Sequence, residues 1–180
     1  MSRSMAVKVL AVVGFSFSFL AGSAVPEGEE PIHPPEFEHF TAVVSSAESL
    51  TAEVDLSSHG YARMYRTRLR EGAAGGANFA GHYAAVSWGC GNECQGTLIV
   101  DLRSGKVLGV KGDAEPLASA RGVAFRADSR LLLADPPCPK GSYSNCDCLS
   151  DGQGDVPIRY YVIEEDGLRP VGDHRCVESK

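Results

Sequence analysis

Residues 79–94 read FAGHYAAVSWGCGNEC, and whether they form a strand entering a turn or a reaction centre decides how the chain is understood. As a strand, Phe79–Trp88 sets His82, Ala84, Val86 and Trp88 on one face and Phe79, Gly81, Tyr83 and Ala85 on the other. A second apolar run, TLIVDL at 97–102, follows at once. Cys90 and Cys94 then flank the tip of a hairpin, where Gly89 and Gly91 supply unusual backbone angles. A bridge between them would close a short loop, at a gain of about 2 kcal/mol.

The pattern of strand, turn and strand continues downstream. RSGK at 103–106 is a tight turn into VLGV. GVAFR and RLLLAD flank a turn at Ala127-Asp128-Ser129, and IRYYVIEEDGLRPV turns at Glu165-Asp166-Gly167. These units resemble the blades of β-propellers, but a closed propeller needs about four blades and the chain has room for about two. Upstream, EFEHFTAVV and LTAEVDL each supply a short strand. Between them and the hairpins, Ser57 or Ser58 caps a helix through YARMYRTRLREG, with Tyr61, Met64, Tyr65 and Leu69 near one face and Gly72 as its stop. Arg63, Arg66 and Arg70 point elsewhere, as a solvated face rather than a grip on an anionic ligand. The expected fold class is α+β, mainly antiparallel β: a sheet or small sandwich of hairpins with one packed helix.

The first 24 residues carry Arg3 and Lys8, an apolar run from Val9 to Ala21, and Gly22-Ser23-Ala24. This is the pattern of an export signal cut after Ala24, and the run falls short of the roughly 20 residues that span a bilayer. Residues 25–35, VPEGEEPIHPP, read as a tether, and 36–180 as a single β-rich domain. No later segment is apolar enough to span, and the localisation expected is periplasmic or secreted. Without its signal the chain keeps 15 basic and 23 acidic residues, a formal charge of −8. Nucleic acid is thereby excluded as a partner, since no basic field is present to displace its counterions. A basic envelope protein suits the charge better.

All six cysteines, Cys90, Cys94, Cys138, Cys146, Cys148 and Cys176, lie in the exported part, where three disulfides are the default, with 15 ways to pair them. The stretch 135–157 holds half of them and reads as a long surface loop. Zinc on Cys138, Cys146, Cys148, His174 and Cys176 is the weaker reading, because the spacings differ from paired CxxC ligands and export favours oxidation. Asp147, Asp151 and Asp155 do not follow the alternation of a calcium loop. No cofactor and no metal are expected.

Two enzymatic readings compete with recognition. Thiol–disulfide chemistry at Cys90 and Cys94 lacks the CxxC spacing and the helix that would lower a thiol's pKa. A hydrolase using His82 would need its nucleophile nearby, yet an extended chain sets His82 about 26 Å from Cys90. Neither GxSxG nor HExxH occurs. The residues expected to face a ligand are His82, Trp88, Asn92 and Glu93.

The segment 78–107, NFAGHYAAVSWGCGNECQGTLIVDLRSGKV, resembles a family of exported bacterial proteins that share FAGHY, WGCG, a following cysteine and an aspartate ahead of a Gly-Lys turn. The likeness extends through ARMYRTRLREG, FRADSRLLL and YYV, over about positions 60–170. It implies export and a common domain, and it supplies no catalytic residues. Cys138, Cys146, Cys148 and Cys176 lie outside the shared pattern. Together these features lead to an exported binding or inhibitor-like module of the cell envelope. An inhibitor of a basic enzyme such as a lysozyme is its concrete form. A structural envelope component is the plainer one.

Overall fold

The computed structural model describes residues 34–45, 52–92, 94–136 and 157–174. The hairpin quoted above is its first large element. β1 (Tyr83–Gly91) and β2 (Cys94–Asp101) pair antiparallel from Tyr83 opposite Asp101 to Gly91 opposite Cys94. The other edge of β2 is divided between two short strands. β3 (Val107–Leu108) lies against Ile99 and Val100, and β4 (Leu117–Ser119) against Gln95–Thr97. The second sheet is a four-stranded antiparallel meander of β5 (Val123–Phe125), β6 (Leu131–Ala134), β7 (Ile158–Glu164) and β8 (Gly167–His174). The expected class, mainly antiparallel β with one helix, is the one observed. β4 was not among the expected strands.

Strand alternation sorts the apolar residues into three layers. Tyr83, Ala85 and Ile99 of the first sheet meet Leu132, Tyr161, Ile163 and Leu168 of the second in a shared layer that also buries Phe79. Ala84, Val86, Trp88, Leu98 and Val100 face the opposite way and are covered by Ala62, Leu69 and the flanking tyrosines 61 and 65. Leu131, Ile158, Tyr160 and Val162 form the third layer, under Phe37 and Phe40.

The segments before the hairpin depart from expectation. Phe37–Phe40 is one turn of 3-10 helix, followed by a single bridge from Thr41 to Ser129. Three-residue spacing puts Phe37 and Phe40 on the same side, and the buried Ser129 hydroxyl donates to both their carbonyls. LTAEVDL contributes a bridge between Asp55 and Lys106 in place of a strand. The helix α1 (Arg66–Ala74) starts later than Ser57 or Ser58 would dictate. Ser58 is engaged elsewhere: its hydroxyl donates to the Asp55 carbonyl and accepts from Val107 N–H. Gly72 does not stop α1. A Cβ there would run into the Val86 side chain, so the glycine lets helix and strand approach, and Gly75 follows the last turn. Met64, expected on the apolar face, is 70% exposed.

Candidate functional site

β1 separates the two halves of the candidate site. His82 stands before its first residue and Cys90 near its last, so the strand holds them about 26 Å apart by its rise. They form no nucleophile and base pair.

At the first end, the half-buried His82 ring lies 4.1 Å from the Tyr83 ring, with Nε2 3.7 Å from Asp101 Oδ1. Burial pushes its pKa below the usual histidine value, Arg103 adds to this, and Asp101 opposes it. The Asp101 carboxylate also serves the turn after β2, accepting from Arg103 N–H (2.9 Å) and the Ser104 hydroxyl (2.5 Å). No hydroxyl or thiol among the described residues hydrogen-bonds to the imidazole, so a base is present without a nucleophile on it.

At the other end, the sulfurs of Cys90 and Cys94 are at bonding distance, with Cα atoms 5.1 Å apart, and close the hairpin. The register shifts between Gly89 and Gly91, so Cys90 is an extra residue on its strand. Ser87, Gly89, Cys90, Gly91, Asn92 and Gln95 are exposed. Trp88 is not: it is 9% exposed, stacked under Tyr65 at 3.9 Å, and seated on Gly96, where a Cβ would lie 3.0 Å from the ring. Its Nε1 is buried with no hydrogen-bond partner among the described residues. Trp88 therefore braces the hairpin from beneath, while Asn92 stands at its tip. Glu93, Cys138, Cys146, Cys148 and Cys176 lie outside the described residues, as does most of the 135–157 loop.

Sequence reasoning passed over Asp135, which ends the LLLAD run. It is 1% exposed, with left-handed backbone at φ 59°. Oδ1 accepts from the N–H groups of Ala120 (2.6 Å) and Arg121 (2.9 Å), and Oδ2 from Arg159 Nη2 (2.8 Å). Arg159 also donates to the Ala118 carbonyl at 2.5 Å, which ties β7 to β4. Ala118, Ser119, Ala120, Asp135 and Arg159 line an open depression that reaches Cys94. Among the described residues no group of three His, Cys, Asp or Glu side chains is placed to hold a metal, and no helix is long and apolar enough to cross a membrane.

No family model matches the chain, and no curated protein and no solved structure is significantly similar to it.

Proposed function

We propose that this is an exported binding module of the bacterial envelope, periplasmic or secreted, whose recognition surface is the stapled end of the β1–β2 hairpin. The observation that carries the reading is the contrast along β1. Its Tyr83–Val86 part is buried on both faces of the sheet, whereas Gly89–Asn92 are exposed beyond the Trp88–Tyr65 stack and pinned by the disulfide. A small, rigid, exposed turn loses little entropy on binding. The rival thiol-redox reading draws no support from the surroundings of the cysteines, which sit on strands rather than at a helix N-terminus.

A basic envelope protein, a lysozyme-type enzyme among them, is the partner class that the formal charge of −8 of the chain without its signal attracts over distance. The test is retention of envelope proteins on the immobilised protein at low salt, compared with an Asn92→Arg variant. Asn92 is exposed at the turn, so the variant keeps the fold. A protein retained by the parent and lost by the variant is the expected result. Equal retention by both, or turnover of a test disulfide by the parent, would overturn the proposal.

A further inference from the structure

The outer edge of β1 is closed over half its length and open over the rest. Leu102 N–H donates to the His82 carbonyl, so the even-numbered residues of β1 bond to β2 and the odd-numbered ones face away. Tyr83 exchanges two hydrogen bonds with Phe79, both 3.0 Å. Ala85 is served by the Asn78 side chain, which accepts from its N–H at 2.7 Å and donates to its carbonyl at 3.2 Å. One amide group thus stands in for a strand residue. Beyond it, nothing among the described residues pairs with the outward N–H and C=O of Ser87 and Gly89. Both residues are exposed, and a Cβ built on Gly89 would meet no atom within 4 Å. Neither proline nor lysine, the usual guards of a sheet edge, stands there.

We propose that this edge takes an extended acidic peptide segment of a partner protein by strand addition, with four backbone hydrogen bonds at Ser87 and Gly89. The inference rests on the reading of the hairpin end as a binding surface. The charge of the occupant follows from α1. Leu69 faces the sheet, Gly72 meets Val86 of β1, and Arg70 reaches Glu53 at 3.9 Å on the β2 side. At about 100° per residue, Arg68 falls on the opposite flank, above the open edge. It is exposed and makes no ion pair or hydrogen bond among the described residues. In an added strand, the residue opposite Trp88 projects toward α1, beneath Arg68. An Asp or Glu fits there. Local charge decides this contact despite the acidic chain, because exposed charges beyond about 8 Å are screened at physiological salt. A second copy paired on the same edge would bring its own Arg68 to the same face, against the first, so a partner segment is the better occupant.

The probe is a synthetic seven-residue peptide alternating Thr and Val with Glu at its centre. It is titrated into the oxidised protein while backbone amide shifts and hydrogen exchange are followed by NMR. Saturable shifts and new exchange protection at Ser87 and Gly89 are expected, with at least tenfold weaker binding of the peptide carrying Lys at its centre. Arg68→Glu should invert that preference. Gly89→Pro removes an outward N–H without taking a bond from the β1–β2 ladder, and should abolish binding. N-methylation of the two Thr residues beside Glu should do the same from the peptide's side, whatever the variant does to folding. Exchange protection at Ser87 and Gly89 in the free protein, a dimer formed through them, or peptide shifts that are absent or lie elsewhere would overturn the proposal. If an envelope protein is lost by Asn92→Arg yet retained by Gly89→Pro, strand addition fails while the binding reading stands.

Discussion

A single missing side chain decides how Trp88 is held. Gly96 is its cross-strand partner, and a Cβ at that position would lie 3.0 Å from the indole. The ring is fixed on its other side by Tyr65, so the strain has nowhere to relax. Gly96→Ala should cost about 1–3 kcal/mol in urea unfolding and shift the emission of the only tryptophan; an unchanged midpoint would show that the stack gives way freely. The histidines carry a second prediction at this scale. His59 and His82 both have pKa values lowered chiefly by burial, so the unfolded chain binds protons more readily. Stability is then fully present above the unfolded histidine pKa of about 6.5 and declines as pH falls toward the lower folded values. His82→Gln should flatten part of that decline below about pH 6.5 in unfolding free energy measured against pH. An identical slope would mean that the imidazole is not desolvated.

Elements succeed here where residues that look alike in sequence are given different jobs by their neighbours. Asn78, in the loop after α1, closes the β1 edge at Ala85 through two hydrogen bonds. Asn78→Ala should cost about 1–3 kcal/mol and speed amide exchange at Ala85, whereas exchange that stays slow would mean another group covers that edge. The hairpins themselves were legible because runs of apolar residues flank turns that carry Gly, Asp and Ser. From Tyr83 to Trp88 the faces divide as expected, whereas Phe79–His82, expected as the start of the strand, form the turn before it, closed by the Phe79–Tyr83 bridge. The helix was legible in its existence and not in its start, since Ser58 looks like a cap but its hydroxyl is bound to Asp55 and Val107, the latter 49 residues away. β4 was hidden because three residues, LAS, carry no period. Asp135 was hidden for a related reason: its partners Ala120, Arg121 and Arg159 are distant in sequence, and the one local signal was an aspartate directly after an aliphatic strand.

The whole molecule is joined by one apolar layer and a few backbone clasps. Phe79, Ile99, Leu132, Tyr161, Ile163 and Leu168 pack together although they belong to both sheets and the turn before β1. Gly109 and Lys111, beyond β3, exchange hydrogen bonds with Leu168 of β8 at 2.8 and 2.9 Å, so backbone as well as side chains crosses between the sheets. Neither four-stranded sheet can keep its inner face dry without the other. The consequence is that damage to one sheet should be felt in the other. Leu132→Ala truncates a fully buried side chain of β6, at a cost of about 2–5 kcal/mol. Trp88, by contrast, reports from the outer layer of the first sheet, beneath Tyr65. Two-state unfolding requires the fluorescence midpoint of Trp88 to fall by the same amount as the far-ultraviolet circular dichroism midpoint in this variant. A Trp88 transition left in place while the dichroism signal moves would separate the sheets into independent folding units, and the stapled hairpin would then owe its rigidity to α1 and the disulfide alone.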